Sequence, residues 1–252
     1  MRKNKDLKKV YDDVFANGEN NFWSFEPIEI HQQVLSPQIY KDKKVLDVGC
    51  GSGDVCIGIS KLGAKSVLGI DYSDEAIKLA NQKNDRNNVE FKVEDYKNIT
   101  DKYDVITLVG VLEHIENPFQ AVSKLYDLLN DGGKLVIESP THQNIRGYIW
   151  MTLQILFDVP MSLTDINFFS PFDFEEFAHK LDMDLEWHTF DFSRGNGERM
   201  VVDLEKRLTN ALRDAKLDNS NVPILIDWLK KSSQYDNIKG HSGSEGLYIL
   251  TK

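Results

Sequence analysis

The sequence predicts an α/β fold: a mostly parallel seven-stranded sheet with an antiparallel last strand, helices on both faces, and helical additions at the N- and C-terminal ends. Three observations lead there. Five short apolar runs alternate with helix-like segments between Lys44 and Pro140, the pattern of a parallel sheet covered on both faces. The first run enters a turn carrying Gly49, Gly51 and Gly53. Two further strand-like runs, 184–192 and 246–251, lie near the end, and a last strand returning beside its predecessor adds an antiparallel pair.

The elements follow in order. Residues 1–43 hold one helix, 7–16, and then Phe22, Trp23 and Phe25 beside Pro27. Strands are expected at 45–49, 66–71, 89–94, 103–110 and 134–139. Helices are expected at 55–62, 74–84, in the region following Leu112, and at 118–129. Ser73 before Asp74 and Glu75 is a good helix start, a capping hydroxyl followed by acids at the positive helix end. Asp131, Gly132 and Gly133 read as a stop and turn before the fifth strand. Beyond 140 come an added helical piece, a helix at 173–181, the strand at 184–192, two helices between 197 and 235, and the final strand. At 252 residues one elaborated domain is expected, divided into an N-terminal helical lid (1–43), a ligand-binding core (44–140) and substrate-shaping insertions with the last two strands (141–252).

Composition narrows the function. A formal net charge of −10 opposes attraction to phosphate backbones, so nucleic acid is disfavoured as a partner. The basic N-terminal stretch lacks the apolar core of a secretory signal. The apolar segment at 148–161 is interrupted by Gln154 and Asp158 and too short to span a bilayer. A cytoplasmic location is the default expectation. Cys50 and Cys56 make no disulfide framework in a chain of this size and read as packing residues.

The chemistry is concentrated in VLDVGCGSGDV at 45–55. A strand runs into a glycine turn and then a helix, and the glycines remove Cβ atoms where a ligand must touch backbone. Dinucleotide sites want G-x-G-x-x-G, so that a pyrophosphate rests on the helix N-terminus. Here the spacing is G-x-G-x-G, and Asp47 inside the strand suits a cationic ligand better than a diphosphate. Asp71 ends the second strand, where a carboxylate accepts ribose hydroxyl hydrogen bonds. Tyr72 beside it can pack on a base, and Asp95 at the end of the third strand can accept from an exocyclic amine.

These runs, VLDVGCGSG, GIDYS, VEDY, YDVITLVGVLEHIENP and GGKLVIESP, resemble class I S-adenosylmethionine (SAM)-dependent methyltransferases, most closely the group with ubiquinone-pathway and sugar O-methyltransferases. The resemblance covers 44–140 and continues weakly through INFFSPFDFEEFAHKLDMDLEW. It implies a Rossmann-like core with SAM as cofactor and S-adenosylhomocysteine (SAH) as product. Gly49, Cys50, Gly51 and Gly53 would surround the methionyl part with Asp47 nearby, and Val109 would lie beneath it. Asp71 would bind the ribose, Tyr72 flank the adenine, and Asp95 with the Tyr96 backbone read its edge.

The expected reaction is methyl transfer to a small-molecule acceptor, at a hydroxyl oxygen of a metabolite or sugar. N- or C-methylation, and a binding domain without turnover, are the alternatives. The Asn/Asp-Pro-Pro-aromatic motif of enzymes that methylate adenine or glutamine nitrogen is absent. His114 in LEHIE is the first candidate base, since histidine titrates near neutral pH; Glu113 and His142 are the alternatives. Some related enzymes carry a metal-binding Glu where this chain has Gly110, so no metal is expected. Phe22, Trp23 and Phe25 form either a lid or an anchor for the first helix. The run IWMTLQILF lines a pocket, forms a homodimer face or packs on the sheet. The charged helix at 203–216 is expected to be a solvated face.

Overall fold

The computed structural model describes residues 7–17, 27–159, 162, 164–192, 194–232 and 243–252. Phe22, Trp23 and Phe25 lie outside these residues. Seven strands make one sheet: β1 (Lys44–Val48), β2 (Ser66–Asp71), β3 (Val89–Val93), β4 (Tyr103–Val109), β5 (Leu129–Pro140), β6 (Asp184–Phe190) and β7 (Glu245–Thr251), in the order β3-β2-β1-β4-β5-β7-β6. β1 to β5 pair in parallel, and β7 runs antiparallel to both β5 and β6. The mostly parallel sheet with its reversed last strand is therefore as the sequence predicts. From β1 the chain winds outward through β2 and β3, then returns to β4 on the other side. Such a switch opens a crevice at the strands' carboxyl ends, where ligands bind in open α/β sheets.

The strands are apolar on both sides because both faces are covered. Leu46, Val48, Ile106, Leu108, Leu135 and Ile137 pack beneath α6 (Pro118–Asp127) and α8 (Pro171–Lys180). Val45, Val67, Val105 and Val136 face α4 (Asp54–Lys61) and α5 (Asp74–Lys83), which contribute Val55, Ile59, Ile77 and Ala80. Each such side chain, fully buried, contributes about 1.5–3 kcal/mol. The Ser73 hydroxyl accepts from the Ala76 N–H and starts α5 as expected.

Several expectations are corrected. The region after Leu112 is a single 3-10 turn, Leu112–His114, because Asn117 and Pro118 already open α6 and leave no length for another helix. β5 starts at Leu129 rather than 134, with a register irregularity between Tyr103 and Val105 of its partner; the expected Gly132 turn, at φ +73°, lies inside it. Before β1, the sequence reading missed α2 (Pro27–Val34) and α3 (Pro37–Tyr40) behind α1 (Leu7–Asn17). IWMTLQILF lies in α7 (Ile145–Phe157), which packs on α9 (Glu198–Asp214) and α10 (Val222–Ser232) instead of on the sheet. Its outward face exposes Tyr148, Ile155 and Phe157. The charged α9 is not a solvated face throughout: Met200, Val201, Leu204, Leu208 and Ala211 recur at helical spacing and bury one stripe against those neighbours.

Candidate active site

A cavity of about 630 Å³ opens over the carboxyl ends of β1, β2 and β4, a size typical of small-molecule sites. One wall is the glycine turn. Gly49 (φ +70°) and Gly51 (φ +51°) adopt the left-handed region, which strongly favours glycine. A Cβ at Gly49 would lie 2.5 Å from Val111 Cγ2. The Gly49 and Cys50 N–H groups both donate to the Ile70 carbonyl, at 2.8 and 3.0 Å, locking the turn to the end of β2.

Two acids brace this wall. Asp47 is 1% exposed; its Oδ1 accepts from Thr107 Oγ1 at 2.6 Å and its Oδ2 from Cys56 Sγ at 3.1 Å. Burial pushes its pKa up to about 6. Asp71 accepts from the Gly51 N–H at 3.0 Å through Oδ2 and from the Ser73 N–H at 2.8 Å through Oδ1. Burial raises its pKa, opposed by those backbone bonds. A carboxylate has about four lone-pair sites, so these bonds do not exhaust its capacity to accept hydroxyl donors from the cavity. Cys50, Tyr72 and Val109 line the same space, and Tyr72 meets Tyr11 edge-on at 6.2 Å.

Three expected residues stand apart from this cavity wall. Gly53 caps α4 at φ +86°, and a Cβ there would strike Phe91 at 2.5 Å, so it serves packing beneath the turn. Asp95 is exposed and caps the 3-10 turn Tyr96–Asn98, accepting from the Lys97 N–H at 2.8 Å. Tyr96 is half-buried and packs against the main core cluster. Neither Asp95 nor Tyr96 is among the cavity-lining residues.

The facing wall carries His114, Val111, Ile115 and Glu138, covered by Tyr11 and Phe15 of α1 and by Ile30 and His31 of α2. His114 Nδ1 lies 3.2 Å from the Thr164 carbonyl and 3.4 Å from Asp165 Oδ1; Nε2 lies 2.9 Å from the Tyr11 hydroxyl. A carbonyl and a carboxylate only accept, so in the neutral ring the proton sits on Nδ1. Nε2 is then the basic nitrogen, and Tyr11 donates to it. Burial raises the Tyr11 pKa, keeping this phenol protonated.

Asp165 had no signal in the sequence. It arrives because the Ile166 and Asn167 N–H groups both donate to the Glu113 carbonyl at 3.0 Å, and Asn167 Nδ2 donates to the Ile115 carbonyl at 2.7 Å. Glu113, His114 and Asp165 thereby offer three ligand-type atoms within 4.8 Å of one another, although Gly110 supplies no carboxylate. Glu113 is buried, accepts from Ser139 Oγ at 3.2 Å, and has its pKa raised by burial. His142 is absent from the cavity lining; burial lowers its pKa to about 4, and its Nδ1 lies 3.1 Å from the Phe169 carbonyl.

Comparison with known proteins agrees with this architecture. Residues 26–186 match the family described as a methyltransferase domain. The ubiquinone biosynthesis O-methyltransferase of Shewanella halifaxensis is 30% identical over 154 residues, covering 56% of this chain and 63% of that protein. The protein of the same name from Glaesserella parasuis is 38% identical over 117 residues, covering 42% and 49%. The matches thus span less than two thirds of these relatives. A SAM-dependent methyltransferase from Archaeoglobus fulgidus has the same fold, with a TM-score of 0.58 at 20% identity, covering 98% of this chain and 100% of that one. The family match spans more than half of the chain, and the chain belongs to the methyltransferase-domain family, among the class I SAM-dependent methyltransferases.

Proposed function

We propose that the chain transfers the methyl group of SAM to a hydroxyl oxygen of a small-molecule acceptor and releases SAH, with His114 Nε2 taking the hydroxyl proton once the acceptor displaces the Tyr11 hydroxyl from it. One observation carries this reading: a single cavity has a Cβ-free turn and Asp71 on one wall and His114 on the other. The cofactor supplies the electrophilic methyl. The protein's share is to hold the oxygen in line and remove its proton. In this reading the turn and Asp47 take the methionyl part, Asp71 the ribose and Tyr72 the adenine face, over Val109. Asp95 and Tyr96 have a part only if the adenine reaches beyond the cavity wall towards β3. The hydroxyl preference is supported by the names of the two sequence relatives.

The test is transfer of labelled methyl from SAM to a panel of hydroxylated and amino acceptors, with calorimetry of SAH binding beside it. Label on oxygen is expected; label only on nitrogen or carbon overturns the hydroxyl assignment. SAH binding should fall on the order of 100-fold in Asp71→Ala, since bonds to a charged acceptor are worth roughly 1.5–3 kcal/mol each. Unchanged affinity removes Asp71 from the ribose site. His114 acts here without a metal, so turnover should survive EDTA. Loss of turnover restored by a divalent cation would instead assign Glu113, His114 and Asp165 to that cation.

A further inference from the structure

Glu138 interrupts the apolar run of β5 and is 1% exposed, yet its Oε1 has no hydrogen-bond partner among the described residues. It forms part of the cavity wall. β5 pairs it with Val109 of β4, and its backbone carbonyl accepts from the Gly110 N–H at 3.1 Å. That places it beside the turn leading to His114. Glu245 of β7 is its diagonal neighbour across the strand pair, since Glu138 pairs with Leu247 and Glu245 with Pro140, and each carboxyl lies in the other's field. Two buried carboxyl groups side by side do not both ionise readily.

The neighbours decide which one. Glu245 faces Arg194, whose Nη1 lies 3.3 Å from its Oε1, while Arg194 Nη2 lies 3.4 Å from Glu29 of α2. The cation therefore stabilises Glu245 as the anion. Among the described residues no cation is paired with Glu138, and burial pushes its pKa well above the usual range. The charge of the pair thus rests on Glu245, and Glu138 Oε1 stands in the cavity wall with no donor among the described residues. A buried acceptor without a donor is costly, and an incoming ligand can supply the donor.

We propose that Glu138 orients the acceptor, its Oε1 accepting a hydrogen bond from an O–H or N–H that the acceptor carries besides the group that is methylated. This rests on the methyltransferase reading above and deepens it, since it requires an acceptor with two polar groups. Val109, Val111, Ile115 and Leu35 line the same cavity, so the scaffold between those groups is apolar. The cofactor's ammonium is the other possible source of an N–H donor, and the experiment separates the two.

The probes are phenol, catechol, resorcinol and hydroquinone, titrated into the SAH-loaded protein; they differ by one hydroxyl and its position. The tightest diol is expected to bind wild type roughly tenfold better than phenol, the worth of one buried hydrogen bond. Glu138→Leu should erase that advantage, and Glu138→Gln, whose amide oxygen still accepts, should keep it. Diols that bind no better than phenol, or an advantage that survives Glu138→Leu, overturn the proposal. SAH affinity should be equal in wild type and both variants, which also shows that each is folded. An SAH affinity about tenfold lower in Glu138→Leu, with diol binding unchanged, assigns the donor to the cofactor and overturns the acceptor role. Wild type that binds diols selectively but takes no SAH fails the methyltransferase reading while leaving the Glu138 contact standing.

Discussion

The two walls of the cavity are made in different ways. The glycine-turn wall is local: Asp47, Gly49, Cys50 and Gly51 follow one another, and Asp71 sits one strand over, held by backbone bonds within the same α/β unit. The His114 wall is assembled from distant chain segments, with Tyr11 from α1, Asp165 after α7, Glu138 from β5, and Arg194 and Glu245 behind it. A wall built from one strand-turn-helix keeps its geometry under change elsewhere. A wall built from many segments can change its ligand by changing any of them. Under the proposed function the local wall takes the cofactor and the assembled wall the acceptor.

The strongest way to break this comparison is to disturb one positive-φ glycine of the turn wall and, as a control, one outside the cavity. Gly49→Ala forces a side chain into the left-handed region, costing roughly 1–2 kcal/mol, and drives its Cβ to 2.5 Å from Val111. SAH affinity should fall on the order of 100-fold, with a lowered melting temperature. Gly132→Ala has a similar φ of +73° but nothing within 4 Å of its Cβ. It should lose only about 1 kcal/mol of stability and no SAH affinity. Equal effects on SAH binding would mean that the turn wall is not specially shaped for the cofactor.

Legibility in the sequence followed the same division. The sheet, its reversed last strand and the turn could be read because strand periodicity and the glycine spacing are short-range signals. At Gly53 spacing alone did not show that a Cβ there would meet Phe91. Asp165 and Tyr11 carried no local signal; only the bonds that tie 166–167 to Glu113 bring the former to His114. Glu138 did leave a trace, an acid at an inward position of a buried strand, which is the kind of local conflict that marks a functional site. The buried stripe of α9 was masked by the helix's high overall charge and needed its helical spacing to be followed residue by residue.

A smaller effect sharpens the contrast through pH. Asp47, on the turn wall, has a folded pKa of about 6 against an ordinary 3.8. The folded state binds the extra proton, so its contribution is full below the ordinary value and declines as pH rises from about 4 to 6. His142, in the added region, has a folded pKa of about 4 against an ordinary 6.5. There the unfolded chain binds the extra proton, so its contribution is full above 6.5 and is lost as pH falls towards 4. The two slopes oppose each other in the wild type. Asp47→Asn should therefore steepen the loss of melting temperature on acidification, and His142→Gln should flatten it. Variants that shift the profile in the same direction would contradict the pairing of buried acid and buried base.

The smallest effect separates α1 as a cover from α1 as part of the chemistry. Tyr11 is buried over the cavity and its hydroxyl sits 2.9 Å from His114 Nε2. If Tyr11 only covers the site, Tyr11→Phe keeps the ring and changes nothing. If its donor holds the imidazole in the tautomer that leaves Nε2 basic, the variant frees the ring to reorient. SAH affinity should then stay within about twofold and KM should barely move. kcat should drop roughly three- to tenfold, the lower end of what losing a supporting contact to a catalytic histidine costs. His114→Ala should lower kcat by about 10²–10⁴-fold, and adding Tyr11→Phe to it should cost nothing more, because the hydroxyl acts through the imidazole. A further loss in the double variant would give Tyr11 its own contact with the acceptor and move α1 from supporting the wall to forming it.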